Sequence, residues 1–340
     1  MNILKFGGTS VGNPDSIKAV AGIIRDEHRR HGTVCVVASA FSKVTNELIE
    51  LARGALVRDT SWERILAGLE ARHHEAVARL VPGAAGRELE RSVSAACAEI
   101  RELALGIARL RELTPRTLDQ VMSFGERLSC RIIAAALSAE GLPANAVDSR
   151  QLIKTDLTYG AARVNFDLTN WNILNWFSGR TEIQVVTGFI ASGKNNETTT
   201  LGRGGSDYTA AILGAALDAG EVQIWTDVNG VMTADPSKVA NAFSLETITY
   251  EEAMELSHFG AKVIHFPTMV PAMNKGIDIR ILNTFNPAFP GTLITARRVV
   301  SDRSVKGIAS LDRVCLISVK GIGMMRATGI AGRIFSALAA

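Results

Sequence analysis

The sequence predicts an α/β protein built on a largely parallel sheet. Two observations predict it. The chain opens as strand, glycine turn, helix, strand, and the same alternation returns in its second half. Residues 2–6 form a short strand-like run that ends in Gly7-Gly8-Thr9-Ser10. A helix follows, with Ile17, Val20, Ala21 and Ile24 on one face and Asp15 as its expected cap. Thr33 to Ala38 is a continuous apolar, β-branched run, the pattern of a strand buried on both faces, with Cys35 as a small buried residue inside it. These pieces make one βαβ unit. A second strand–helix–strand succession reads from Ile183–Val186, through a helix over 207–217, to Glu221–Thr226.

Between the two lies a helical stretch over about 62–111. Trp62, Leu66, Leu69, His73, Ala76 and Leu80 step by alternating fours and threes, as do Leu89, Val93, Ala96, Ile100, Leu103, Ile107 and Leu110. That is the heptad period of a helix–helix seam. Pro82-Gly83 separates the runs, so they should fold back as an antiparallel hairpin inserted into the main domain. His73 on this seam reads as a packed side chain, not a ligand, and His74 has no partner at metal-binding spacing.

The 340 residues exceed one ordinary domain, so a large domain with an appendage is expected. Hydrophobic content of 47% against 21% charged excludes a disordered chain. No apolar run approaches the roughly 20 residues of a membrane span, and Met1–Lys5 enters a glycine turn directly, unlike a secretory signal. A net charge of +3 without a Lys/Arg block gives no footprint for nucleic acid. Cys35, Cys97, Cys130 and Cys315 are scattered and form no CxxC pair, which fits reduced thiols in the cytoplasm better than a disulfide framework or a metal site. After about residue 300, Val314–Val319 reads as a strand and Gly329–Ala339 as a helix with no stop signal. A strand and a helix cannot bury their own apolar faces, so either another chain completes this piece or the chain is truncated there.

Four stretches carry candidate chemistry. In Lys5-Phe6-Gly7-Gly8-Thr9-Ser10, glycines directly after a buried strand let backbone N–H groups approach an anion, and Lys5 adds positive charge. An ordinary tight turn gives the same local pattern. Gly202-Arg203-Gly204-Gly205-Ser206-Asp207 opens a helix and repeats the theme. There Asp207 is either a first-turn carboxylate favoured by the helix dipole or a site residue, and Arg203 either a solvated charge or an anion ligand. The polar stretch Ser192–Thr200 before it reads as a mobile flap. Trp225-Thr226-Asp227-Val228-Asn229-Gly230 sits at a strand end, where open α/β sheets bind ligands, though it is also a plain turn signal. Lys262, in Gly260-Ala261-Lys262-Val263, is a helix-end charge or a second phosphate cation.

Taken together, Lys5-Phe-Gly-Gly-Thr-Ser-Val-Gly12, the Gly-Arg-Gly-Gly lead into Ser206-Asp-Tyr-Thr-Ala210, Trp225-Thr-Asp-Val-Asn-Gly230 and Phe259-Gly-Ala-Lys-Val263 resemble the aspartate kinases of the amino-acid kinase superfamily. Asn283-Thr284, Pro287 and Pro290-Gly-Thr-Leu293 resemble the segment that closes that family's kinase domain. The resemblance implies a three-layer αβα sandwich around an open, largely parallel sheet. It places the catalytic domain at 1–297 with the helical hairpin inserted at about 62–111, and an incomplete α+β ACT-like regulatory segment at 305–340. The implied reaction moves the γ-phosphoryl of ATP to the β-carboxylate of L-aspartate with Mg²⁺. Half an ACT module should not bind the lysine or threonine effectors, and should weaken a homodimer.

The resemblance also assigns roles. Lys5, Gly7, Gly8, Thr9 and Ser39 would hold the ATP phosphates, with Lys262 and Val263 facing them. Thr226, Asp227 and Met232 would line the nucleoside pocket. Thr45, Glu126, Phe189, Arg203, Gly204, Gly205 and Ser206 would bind aspartate, Arg203 taking the α-carboxylate and Glu126 the ammonium. Asp207 would orient the reacting groups, directly or through Mg²⁺, without acting as a general base; no protein metal cage is implied. This chain departs from the family pattern at Met232 and Ser237, where many members carry an aromatic residue and an arginine, and at Phe266 before Pro267. Other amino-acid kinases, or a non-catalytic subunit that pairs with a longer chain, are the alternatives.

Overall fold

The computed structural model describes residues 1–258, 265–297, 305–310, 315, 318 and 329–339. The chain divides into two compact units, Met1–Ala309 and Ser310–Ala340. The first opens with β1 (Asn2–Phe6), α1 (Pro14–His31) and β2 (Val34–Ala38). Pro14 stands at the start of α1, where a missing N–H costs nothing. The residue before it therefore caps the helix: Asn13 accepts a hydrogen bond from the Ser16 N–H at 2.9 Å. Asp15, the cap expected from the sequence, lies two residues further, inside the first turn, and instead pairs with Arg79 at 2.6 Å.

Next come α2 (Val44–Leu56), α3 (Ser61–Leu80), α4 (Gly83–Leu110) and α5 (Pro115–Ala139), then β3 (Ala144–Val147), α6 (Phe166–Phe177) and β4 (Ile183–Thr187). A small hairpin, β5 (Ile190–Ser192) and β6 (Thr198–Thr200), leads to α7 (Gly205–Ala216) and β7 (Glu221–Thr226). β8 (Thr247–Thr249), α8 (Tyr250–His258), α9 (Val270–Asn274), β9 (Asp278–Asn283) and β10 (Thr292–Thr295) complete the unit. Eight strands form one sheet in the order β3-β4-β2-β1-β7-β9-β10-β8. Every neighbouring pair is parallel except β9 with β10.

The side-chain alternation of the central strands creates the layers. Leu4 and Phe6 of β1, with Val34, Val36 and Ala38 of β2, face a core shared with α1 to α5. Ile3, Cys35 and Val37, the residues between them, face a second core shared with α6 to α9. The sheet is thus covered on both faces, the condition that continuous apolar strands require. This is the three-layer α/β sandwich that the sequence led us to expect.

The inserted hairpin is formed by α3 and α4. Arg58, just before α3, donates to the Ala108 carbonyl near the end of α4 at 3.1 Å, while Val81-Pro82 joins the opposite ends, so the helices are antiparallel. On α3 the buried set is the one the heptad spacing gives, with Val77 added. On α4 the stripe drifts. Gly86, Cys97 and Ala104 are buried, Leu89 and Leu103 are half-buried, and Leu110 is 77% exposed. An α-helix has 3.6 residues per turn, and over 28 residues that departs from a strict 3.5 repeat.

The stretch Ser192–Thr200 is not a flap. It forms most of the β5–β6 hairpin, and Ser192, Thr199 and Thr200 are fully buried. The polar groups of its two strands are bonded internally, while the tip, 194–196, is exposed. Asp119 of α5 accepts from the Thr200 N–H and hydroxyl, both at 2.9 Å, and from the Gly160 N–H at 3.0 Å. Lys154 donates to the Ser192 hydroxyl at 2.8 Å. Residues 305–309 pack with the first unit: Ile308 N–H donates to the Thr233 carbonyl at 2.8 Å, and Lys306 pairs with Glu252 at 2.7 Å. In the second unit the expected helix is present as α10 (Ile330–Ala339). The strand expected over Val314–Val319 lies outside the described residues except for Cys315 and Ser318. Among the described residues no helix is long and apolar enough to cross a membrane.

The hairpin core makes a direct prediction. Ile100→Ala should lower unfolding stability by about 2–5 kcal/mol through a buried cavity, whereas Leu110→Ala should stay within about 0.5 kcal/mol. Urea unfolding midpoints at constant slope separate the two variants.

Candidate active site

β1, β2, β4 and β7 are parallel, so their carboxyl ends open along one edge of the sheet. Four segments leave that edge together and enclose a cleft of about 570 Å³. The first is Gly7-Gly8-Thr9 after β1. Gly7 N–H donates to the Trp225 carbonyl at 3.1 Å, and Val11 N–H to the Gly7 carbonyl at 3.2 Å, which curls the segment into a turn. A Cβ on Gly8 would stand 3.0 Å from the Ala40 carbonyl oxygen, so a side chain there would force the first two segments apart. Ser10 is buried beneath the turn and shares a 2.7 Å hydrogen bond with Thr284.

The second segment, Ser39 to Asn46, follows β2. Ser39 N–H donates to the Phe6 carbonyl at 3.2 Å, and its own carbonyl accepts from the Ser129 hydroxyl of α5 at 2.7 Å. Thr45 lies in the first turn of α2 and lines the cleft. The third segment runs from Phe189 to Asp207. Phe189 has φ 65°, a left-handed conformation that is costly for a large side chain. It is held there by two bonds: its N–H donates to the Thr209 hydroxyl at 3.1 Å and its carbonyl accepts from the Leu201 N–H at 2.9 Å. Gly204, with φ 71°, caps α7, and Gly205 and Ser206 open it. The fourth segment is Thr226-Asp227 after β7.

Three buried or mostly buried ionisable groups line the cleft. Lys5, the penultimate residue of β1, meets Asp207 in the first turn of α7 at 2.6 Å, with both side chains mostly buried. Glu126 on α5 is 3% exposed. Its Oε1 accepts from the Ala40 N–H at 3.3 Å, and its Oε2 is buried with no partner among the described residues. Burial pushes the carboxyl up to about 8, and the bond from Ala40 opposes that shift only in part. A buried carboxyl with one free oxygen, lining a cleft, could take a cation, whose charge would offset the burial that holds the carboxyl up.

The site residues expected from the sequence are largely brought together. Lys5, Gly7, Gly8, Thr9 and Ser39, Thr226 and Asp227, and Thr45, Glu126, Phe189, Gly204, Gly205, Ser206 and Asp207 all line the one cleft. Two lie apart. Arg203 is exposed and does not line the cleft, although its neighbours Gly202 and Gly204 do. Met232 also stands outside the lining; its thioether accepts from the Ser244 hydroxyl at 3.4 Å. Lys262 and Val263 lie outside the described residues. Ala40, Phe41, Ser42, Lys43, Asn46 and Gly202 line the cleft without having been singled out. Their sequence signal was position alone, directly beyond the carboxyl end of β2 or beside the glycine lead of α7.

The inserted hairpin braces this cleft from behind. Arg72 of α3 donates to the carbonyls of Ser42 and Gly12 and lies 3.6 Å from Glu47. His73 stacks on Phe41, ring centroids 4.8 Å apart and 4° from parallel. Burial holds the imidazole down to about 4, so it is neutral at pH 7, and its Nδ1–H donates to the Leu69 carbonyl at 2.7 Å. His73 is therefore a packed histidine, as expected.

The Glu126 environment implies a pH dependence. Its folded value of about 8 lies above the ordinary 4.5, so the unfolded chain releases this proton first. Stability from this group is fully present below about pH 4.5 and is lost as pH rises through about 8. Across that window the wild-type protein should lose stability relative to Glu126→Gln, by at most about 1.4 kcal/mol per pH unit. Parallel urea titrations of the ligand-free proteins measure it, and parallel pH profiles would contradict it.

Comparison with known proteins places this geometry. Residues 1–283 match the Amino acid kinase family. The chain is 36% identical over 344 residues to a bifunctional aspartokinase/homoserine dehydrogenase 2 of Zea mays, covering 99% of this chain and 37% of that protein. It is 35% identical over 355 residues to aspartokinase 1 of Arabidopsis thaliana, covering 98% of this chain and 59% of that one. The structure is similar to E. coli aspartokinase III in complex with aspartate and ADP, with a TM-score of 0.81 at 31% identity over 88% of this chain and 65% of the other. The chain thus spans between about a third and two thirds of the length of these relatives.

Proposed function

The chain belongs to the amino acid kinase family, and from that premise we propose that it is an aspartate kinase, transferring the γ-phosphoryl of ATP to the β-carboxylate of L-aspartate. The observation that carries the reading is the convergence on one cleft of a glycine-lined lysine, Lys5, and a buried carboxyl with an unfilled oxygen, Glu126. The first suits a phosphate and the second an ammonium. A relative of the same fold, E. coli aspartokinase III, has been crystallised with aspartate and ADP.

The chemistry asks little of acid–base catalysis. A β-carboxylate is ionised at pH 7 and is already a nucleophile. The difficulty is to hold two anions in line and to neutralise the charge that moves between them. In this reading Gly7, Gly8 and Ser39 border the phosphates, the Gly8 N–H, the Ser39 hydroxyl and the ammonium of Lys5 serving as the donors, since the N–H groups of Gly7 and Ser39 are bonded to the Trp225 and Phe6 carbonyls. Thr226 and Asp227 border the nucleoside. Glu126 takes the α-ammonium, Thr45 and Ser206 donate hydroxyls to the amino acid, and Phe189 packs beside it. Arg203 folds in from the rim onto the α-carboxylate, where its planar fork matches two oxygens. Asp207 fixes Lys5 and orients the reacting groups.

Asp207 also brings a carboxylate to the phosphate end of the cleft, and one carboxylate beside nucleotide phosphates suits Mg²⁺, which keeps most of its ligands from water and phosphate. Bound there, Mg²⁺ would screen the phosphoryl oxygens from the incoming carboxylate. Lys262 is the further phosphate cation in this reading, and the unit containing α10 corresponds to the ACT-like segment.

Hydroxylamine trapping of acyl phosphate, with Mg-ATP and L-aspartate, L-glutamate or N-acetyl-L-glutamate offered separately, tests the assignment. Hydroxamate should form from aspartate alone; formation from another acceptor, or from none in a folded protein, would reject it. Lys5→Ala should lower kcat by about 100-fold or more, because charge on the transferring group grows in the transition state. Arg203→Ala should instead raise the KM for aspartate by about tenfold or more with a smaller change in kcat. Steady-state kinetics at saturating ATP distinguish the two patterns.

A further inference from the structure

The aspartate kinase reading leaves one acceptor group without a partner. Glu126 and Arg203 account for the α-ammonium and α-carboxylate, while Lys5 is engaged by Asp207 at 2.6 Å. The side-chain carboxylate, the atom set that reacts, still needs a cation in the cleft. Lys43 is available. It lines the cleft in the same short turn as Thr45 and Asn46. Among the described residues its side chain makes no hydrogen bond or ion pair.

The backbone around Lys43 is built to hold it. Its φ of 68° lies in the left-handed region, where a side chain larger than glycine or asparagine is disfavoured. Lysine is nevertheless the residue at the N-cap of α2, and it contributes no side-chain capping bond. The conformation is imposed from outside: Arg72 donates to the carbonyl of the preceding Ser42 and to that of Gly12. The same guanidinium lies 3.6 Å from Glu47, the acidic residue in the first turn of α2, and so offsets its charge. The N-terminus of α2 adds to a positive field that Lys43 completes.

We infer that Lys43 binds the side-chain carboxylate of the acceptor amino acid and thereby selects for a short acceptor with an anionic side chain. The inference rests on the aspartate kinase reading and adds to it a specificity-determining residue. The transfer itself is unaltered: a carboxylate oxygen attacks the γ-phosphorus, the bond from that phosphorus to the bridging oxygen breaks, and ADP leaves with the electron pair. Lys43 neutralises the attacking anion so that it can approach a second one.

The backbone conformation supplies a clean variant. Lys43→Gly relieves the left-handed φ and removes the side chain with its ammonium, so the turn should remain folded. Calorimetric titration of the wild type, Lys43→Gly and Lys43→Arg with L-aspartate, and separately with ADP, tests the inference. In Lys43→Gly the Kd for L-aspartate should rise about tenfold or more while the Kd for ADP stays within about twofold, and Lys43→Arg should recover most of the loss. The preference for L-aspartate over L-asparagine, read as the ratio of inhibition constants, should fall by the same factor. Aspartate bound equally by the wild type and Lys43→Gly, or ADP weakened in parallel, would overturn the inference alone. A wild-type protein that binds no L-aspartate would overturn it together with the proposed function.

Discussion

The contact between Lys5 and Asp207 organises this molecule. Lys5 belongs to the central strand and Asp207 to the first turn of a helix some 200 residues later, yet their charges lie 2.6 Å apart in a mostly buried setting. Neither charge would be tolerated there alone, because a mostly buried unpaired ion loses several kcal/mol of hydration. The pair therefore fixes the start of α7 over the carboxyl end of β1. That placement brings two glycine-rich turns to one cleft, Gly7-Gly8 after β1 and Gly204-Gly205 at the start of α7.

The remaining wall of the cleft comes from α5. One helix presents Glu126 to the cavity, supports Ser39 through Ser129 and clamps the β5–β6 hairpin through Asp119. Burial raises both carboxyls, but to different ends. Asp119 has its oxygens filled by three donors and acts as a brace. Glu126 keeps an oxygen unfilled and remains available to a ligand. The inserted hairpin adds the last support, through Arg72 on two loop carbonyls and His73 flat against Phe41. An element that looked peripheral in the sequence thus shapes the turn in which Lys43 and Thr45 lie.

The points where sequence reasoning and structure part are physically instructive. Asp15 and Asn13 are both capping residue types, and only the position of Pro14 decides between them. The α4 seam follows the 3.6-residue helix, so the last leucine of a 3.5-residue count rotates into solvent. Ser192–Thr200 has the composition of a mobile loop because composition does not reveal partners. Asp119 and Lys154, both distant in sequence, satisfy its polar groups and turn it into buried structure. Arg203 is the opposite case, a motif residue whose side chain stands outside the cleft that its neighbours line.

By itself the sequence determined the layered α/β architecture, since strand burial and helix periodicity are local patterns that leave few alternatives. It also pointed to the glycine-rich turns that line the cleft, because a backbone that must pass close to another segment has few residues to choose from. The tertiary structure alone decided which charges are spoken for and which are free. Lys5 is occupied by Asp207, Glu47 is offset by Arg72, and Lys43 and one oxygen of Glu126 are left open to the cleft. Pairing of this kind depends on distances between residues far apart in the chain, and Coulomb energy and desolvation both change steeply over a few ångströms, a scale on which sequence separation carries no information.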